Sequence, residues 1–459
     1  MTLIPGVRAT AVAGAALSVC SWLVLAASSA GADSAPEPPP GAAVAAGDDG
    51  PMDEGSLETN AALDRVLRYA RENNPGIRAA EQAWLADLQR ITRERSYENP
   101  WITFVPDTGA LSETRSGRQS HGVELSQAIP FPGKLTLKGR VADSRARATQ
   151  QRLEAVIQEI LRQTRSRYAD YFLGARSLRI NAETMRLARQ FADIAAAKYR
   201  VAGAAQQDVI QSQEKISELA AERVIFESEF ETALGALNSL LDRQPRAPLG
   251  PPSDLSAGEL AVPLAELVEA ADSRRPELLG QDNRVQAGRD SVRLARMGYL
   301  PDFKIGAQYV AVQGGTNPLF SRDGNDVWRV KLGFSIPIWI DRVGAEVSEA
   351  RARLARERAR RRDLANLVHD EVQRSYERVR AASRTERIYR TTLIPQTQER
   401  VAAARAGYQT GVVDFLTLID SLEALERVQL ERDRAVRAYH AGVADLERAT
   451  GSQLQGVAP

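Results

Sequence analysis

The sequence predicts a mainly α-helical chain that also carries a small set of membrane-type β-strands, organised as two tandem repeats. Three observations carry this reading. Two helical tracts each run for about a hundred residues. Short strands alternate strictly between apolar and polar side chains. The same landmarks also recur about 200 residues apart, in the same order.

The landmarks define the repeat. Asn74-Pro75-Gly76-Ile77 returns as Arg275-Pro276-Glu277-Leu278, and Tyr97-Glu98-Asn99-Pro100 as Gly298-Tyr299-Leu300-Pro301. Leu125-Ser126-Gln127-Ala128-Ile129-Pro130 returns as Leu332-Gly333-Phe334-Ser335-Ile336-Pro337. Arg167-Tyr168 is echoed by Ser375-Tyr376, and the turn from Tyr199 to Gly203 by that from Tyr408 to Gly411. This places a first repeat at about 57–243 and a second at about 263–451. The link at about 244–262 is marked by Pro245, Pro248 and Pro251-Pro252, and a short tail covers about 452–459.

Each repeat opens with a helix, at about 57–96 and about 263–297. A strand pair follows, at about 101–106 with 121–129 and at about 302–312 with 327–337. In the last strand Trp328, Val330, Leu332, Phe334 and Ile336 share one face, while Arg329, Lys331, Gly333 and Ser335 share the other. Phe303, Ile305, Ala307, Tyr309 and Ala311 oppose Lys304, Gly306 and Gln308; Val123, Leu125 and Ile129 oppose Glu124 and Ser126. A period of two with one strongly polar face means one wet wall and one apolar wall. The aromatics Trp101, Phe131, Trp328 and Trp339 gather at the strand ends, as in an interfacial belt. Four strands cannot close a barrel, and an open edge is not viable in lipid, so lipid-facing strands require association. A dimer would supply eight strands and a trimer twelve.

The tracts at about 135–243 and 342–450, broken near Gly203 and Gly411, carry apolar stripes at three- and four-residue spacing. One stripe runs through Leu153, Ile157, Ile160, Leu161, Tyr168, Tyr171 and Phe172, the other through Leu364, Leu367, Val368, Val372, Tyr376 and Val379. A helix from Leu135 to Tyr199 would be about 100 Å long at ~1.5 Å per residue, which calls for coiled-coil neighbours.

The N-terminus reads as a secretory signal over residues 1–32: Arg8, an apolar core from Ala9 to Ala27, then small residues at Ala30-Gly31-Ala32. Residues 33–56, rich in Pro, Ala and Gly, read as a flexible leader. Cys20, the single cysteine, falls inside the signal core, with Val19 where a lipidation motif needs a small residue. The formal charge is +1 and the basic residues, nearly all Arg, interleave with Glu and Asp, which excludes a basic nucleic-acid surface. No cofactor or metal motif is present. His121, His369 and His440 lack ligand spacing and read as ordinary surface histidines, and the many carboxylates read as solvated ion pairs.

Ser126-Gln127-Ala128-Ile129-Pro130-Phe131-Pro132-Gly133-Lys134, its echo Ser335-Ile336-Pro337-Ile338-Trp339, and Tyr408-Gln409-Thr410-Gly411-Val412-Val413-Asp414-Phe415-Leu416 resemble segments of the TolC family of outer-membrane efflux proteins. The resemblance spans about residues 57–451. It implies a homotrimer with a twelve-stranded barrel in outer-membrane lipid and a twelve-helix tunnel across the periplasm. It also implies a duct and not an enzyme, partnered by a periplasmic adaptor (membrane fusion protein) and an inner-membrane pump. The Pro-Phe-Pro-Gly-Lys variant is most similar to the heavy-metal-cation branch, whose pumps are of the resistance-nodulation-division type. The rival reading is a periplasmic coiled-coil structural or adaptor protein.

By the same resemblance the turns at Gly203 and Gly411 are the periplasmic tip, where acidic side chains constrict the tunnel. Asp208 and Asp420 match those positions best, Asp414 less well, and Tyr408 belongs to the same aperture. Thr417 stands at one usual acidic position and Val413 where some members have a basic gating residue. Lys304, Arg329, Lys331 and Glu124 would face the barrel lumen.

The signal reading predicts a mature N-terminus near Asp33. Intact-mass measurement of the exported protein checks it, and a diacylglyceryl group on Cys20 would refute it.

Overall fold

The computed structural model describes residues 54–59, 61–106, 113–114, 117–313 and 325–454. The signal, most of the leader and Cys20 lie outside the described residues. In chain order come α1 (Glu54–Thr59), α2 (Leu63–Asn73), α3 (Pro75–Arg95), β1 (Trp101–Val105), β2 (Glu113–Thr114), β3 (Gly117–Ile129), α4 (Lys134–Arg200) and α5 (Gln206–Leu240). Then follow α6 (Leu264–Arg274), α7 (Pro276–Arg296), β4 (Phe303–Gln313), β5 (Val327–Phe334), α8 (Ile340–Ile388), α9 (Ile394–Thr410) and α10 (Phe415–Thr450).

Each opening helix is in fact two. Proline cannot donate to the preceding turn but suits the first turn of a new helix, so Pro75 and Pro276 start α3 and α7. Asn74 caps α3 by accepting from the Gly76 N–H at 2.8 Å, and its amide also donates to the Leu240 carbonyl at the end of α5 (2.8 Å). Arg275 does different work. Its buried guanidinium pairs with Glu277 and Glu371, both at 2.9 Å. The second long tract is also interrupted once more than expected. Five residues, Tyr389–Leu393, form a π-helical turn before Pro395, whose missing N–H and ring disturb the regular ladder there.

The strands form one antiparallel sheet in the order β1-β3-β4-β5, with the short β2 paired to β3. The two hairpin pairs of the repeats are therefore joined across the repeat boundary, Leu125 opposite Ala307 and Ile129 opposite Phe303. The helices follow the same order as the strands: α3 packs on α4, α4 on α7, and α7 on α8. Each strand thus continues into a helix of the same rank, and β1/α3 and β5/α8 stand at the two ends. β5 stops at Phe334, earlier than expected. Ser335 instead exchanges hydrogen bonds with Asp302: its N–H donates to the Asp302 carbonyl and its hydroxyl accepts from the Asp302 N–H, each at 2.8 Å.

Register sorts the sheet faces. Ile102, Leu125, Ala307 and Val330 lie in one cross-strand row, and Phe104, Val123, Tyr309 and Trp328 in another. Tyr309 and Trp328 touch at 5.1 Å between ring centroids. Val330 and Leu332 are 78% and 80% exposed, so this apolar face has no cover within the chain. The alternate face carries Glu124 ion-paired to Lys331 at 2.7 Å, beside exposed Lys304 and Arg329.

No helix among the described residues is long and apolar enough to cross a membrane. Of the two stripes, Tyr168, Tyr171, Phe172, Val368, Val372 and Val379 are buried between helices, Leu153, Ile157, Ile160 and Leu161 are only half-buried, and Leu367 is exposed, contrary to expectation. One cluster joins Phe191 and Leu219 to Tyr408, Phe415, Leu418 and Leu422; another joins Leu278, Val368 and Val372 to Tyr439, Val443 and Leu446. The proline-rich link between repeats is pinned by side chains. Tyr168 donates to the Ala61 carbonyl at 2.6 Å and lies 2.9 Å from the Ser253 hydroxyl, and Tyr171 bonds the carbonyls of Leu249 and Gly250 at 3.1 Å. His440 is buried, not on the surface, and donates to the Ser256 carbonyl at 3.0 Å. Burial pushes its pKa down to about 4, so the ring stays neutral.

Tyr168→Phe removes the donor from a buried carbonyl and should lower stability by about 1–3 kcal/mol. Thermal melting of the detergent-solubilised protein measures this, and an unchanged midpoint would show that water replaces the hydroxyl.

Candidate functional site

The residues assigned to the aperture gather where the two long tracts reverse. In the first turn α4 ends at Arg200 and α5 begins at Gln206. Gly203 was expected to permit the reversal, but the left-handed residue is Ala202, with φ +59°; Gly203 donates its N–H to the Lys198 carbonyl at 2.8 Å. In the second turn the expectation and the backbone agree: Gly411 has φ +84°, a conformation that a Cβ disfavours.

The four acidic and phenolic candidates meet different fates. Asp208 sits in the first turn of α5, half-buried, and accepts a hydrogen bond from the Tyr408 hydroxyl at 2.9 Å. Tyr408, on the last turns of α9, is buried and stacks edge-on against Phe415 at 5.3 Å. Burial, together with the Asp208 carboxylate, raises the Tyr408 pKa far above the usual phenol value, so it remains a donor across the physiological range. Asp414 is a helix cap: its carboxylate accepts from the Thr417 N–H at 2.9 Å at the start of α10. Thr417 holds the Asp414 pKa below the usual carboxylate range. Asp420 lies about one and a half turns into α10, exposed.

Lys198 completes the arrangement and was missed in the sequence. Its ammonium donates to the Tyr408 carbonyl and lies 4.5 Å from the centre of the Tyr408 ring. One residue of α9 is thus held by α4 through Lys198 and by α5 through Asp208. No motif marks Lys198, because it meets Tyr408 only through the fold. Around these turns Val201, Val412 and Leu416 present apolar side chains to solvent.

A second missed residue explains the Pro-Phe-Pro-Gly-Lys segment. Gly133, at φ +95°, opens α4, and Lys134 then pairs with Asp302 at 2.7 Å while the Phe131 N–H donates to the same carboxylate oxygen at 2.7 Å. The segment is a clasp between the β3–α4 junction and the start of β4. The described residues contain no group of three or more His, Cys, Asp or Glu placed to hold a metal ion.

A sheet with one bare apolar face, feeding helices far longer than any sheet they could cover, is the architecture of a membrane-inserted duct protomer. The chain belongs to the outer membrane efflux protein family, whose sequence profile matches residues 66–242 and 267–452. These proteins are outer-membrane channels and not enzymes. Solved structures share the fold. CusC superposes with a TM-score of 0.72 at 17% identity, covering 86% of this chain and 93% of its own. VceC of Vibrio cholerae gives 0.69 at 15%, covering 85% and 96%, and CmeC of Campylobacter jejuni gives 0.69 at 15%, covering 85% of each chain. A sequence comparison with curated proteins finds no match.

Proposed function

We propose that three copies of this chain join β5/α8 of one to β1/α3 of the next, closing a twelve-stranded barrel in the outer membrane over a helical duct. The observation that carries the reading is the pair of free sheet edges flanking an uncovered apolar face. The face with Lys304, Arg329, Lys331 and Glu124 then lines the lumen. Residues 1–32 serve as export signal and 33–56 as leader, with the two repeats at 57–243 and 263–451 joined by the link at 244–262.

The tip is the aperture. Asp208 and Asp420, each repeated three times around the axis, set a negative field that draws cations, and the Lys198–Tyr408–Asp208 tie holds the tip together. Val201, Val412 and Leu416 suit docking of a periplasmic adaptor, which hands cargo from an inner-membrane pump. The Pro-Phe-Pro-Gly-Lys segment favours a resistance-nodulation-division pump and heavy-metal cations as cargo.

Two measurements test this. Leu332→Arg, on the lipid face, should cost about 2–4 kcal/mol per protomer and deplete trimers, whereas Thr103→Arg, opposite Glu124 on the polar face, should be tolerated. Equal tolerance of both in outer-membrane fractions would overturn the face assignment and favour a soluble rod. Asp208→Ala with Asp420→Ala should lessen cation preference and divalent block in planar-bilayer conductance while trimers persist. Unchanged selectivity would return both carboxylates to ordinary surface charge.

A further inference from the structure

Helices α5 and α10 both pack on α4, and between them lies a groove of about 420 Å3. Ile225, Phe226 and Leu430 give it an apolar wall, and Glu222, Glu229, Glu423 and Glu426 give it carboxylates. Two of the three basic side chains of the groove are already ion-paired. Lys215 is held by Glu423 at 2.9 Å and Glu218 at 3.2 Å, and Arg434 by Glu431 at 2.6 Å. Glu222, Glu229 and Glu426 are left facing a groove in which Arg427 is the remaining cation.

Glu426 is the anomaly. It is only 5% exposed, yet its Oε1 has no hydrogen-bond partner. A buried carboxylate without a partner is among the costliest groups a fold can retain. Burial, with Glu222 and Glu423 adding like charge against Lys215, pushes its pKa up to about 7. A helix packed for stability alone would place an apolar side chain here, as it does at the neighbouring Leu422 and Leu425.

We propose that this groove binds an organic monocation with an apolar body, its charge set against Glu426 and Glu222 and its hydrocarbon against Phe226, Ile225 and Leu430. The volume falls in the range of small-molecule sites, roughly 300–1,000 Å3. The Phe226 ring adds a face that attracts a desolvated cation. The apolar wall suits an organic cation and not a bare metal ion. The inference rests on the groove alone, so a protein that forms trimers and conducts ions but binds no such cation would defeat it without touching the duct reading.

The test is isothermal titration of the purified, detergent-solubilised protein with tetraphenylphosphonium. Saturable binding is expected at about pH 8, weakened at least about tenfold at about pH 5.5, where Glu426 carries its proton. Glu426→Gln should show the same loss at about pH 8 and little further change on acidification, and Glu222→Gln a smaller loss. The Gln variant should fold. The raised carboxyl binds its proton more tightly in the folded chain than in the unfolded one, so its contribution to stability falls as pH rises from the usual carboxylate value to about 7. Glu426→Gln should therefore melt at or above the parent temperature at about pH 8. The proposal fails if no saturable binding occurs, if Glu426→Gln binds equally well, or if the neutral triphenylphosphine oxide binds as tightly.

Discussion

The whole architecture answers to one constraint: backbone hydrogen-bonding groups at a sheet edge cannot be left open in lipid. β1 and β5 end the sheet, and α3 and α8 end the helix layer in the same order. An edge that could be tolerated in water, where solvent bonds the free N–H and C=O groups, becomes a demand for a partner strand once the adjoining face is apolar. Leu332, Val330 and Phe334 make it so on β5, as do Ile102 and Phe104 on β1. The polar face meets a milder requirement. Glu124 and Lys331 satisfy each other there, and their neighbours remain in water.

Below the sheet the load passes to buried polar staples, which the expectation of solvated surface ion pairs underestimates. Asp433 is 1% exposed and bonds Arg176 of α4 at 2.9 Å and Arg432 at 2.7 Å. Arg432 also reaches the buried Glu386, which Arg390 of the π-helical turn engages at 3.0 Å. Arg448 draws Glu159, Glu277 and Glu371 together from three different helices. The buried carboxylates Asp433 and Glu386 are tolerable because each is shared between two guanidinium groups. Together with Tyr168 and Tyr171 they hold helices α4, α8 and α10 in register around the proline-rich link. Long helices that touch only through apolar stripes could slide by a turn; directional bonds between named partners prevent it.

The tip is built differently. It relies on Tyr408 as a hub, seated in an apolar cluster with Phe415 and Leu418 and bonded through its hydroxyl, its ring and its carbonyl to two other helices. Asp414, by contrast, is exposed and caps α10.

What the sequence determined by itself were the properties that repeat along the chain: helical and strand periods, the duplicated landmarks, the polar and apolar faces of the strands, the Gly411 reversal, and the family to which the chain belongs. These are legible because neighbours one, two, three or four residues apart generate them. Whatever depends on partners distant in the chain was decided by the tertiary structure. Lys198 reaches Tyr408 across 210 positions and Lys134 reaches Asp302 across 168. His440 is buried only because the link folds over it, Ala202 takes the strained place beside Gly203, and Glu426 loses its solvent only because α10 packs as it does. No local pattern encodes which distant surface a side chain will meet, since packing and desolvation are properties of the assembled helices and not of any one of them.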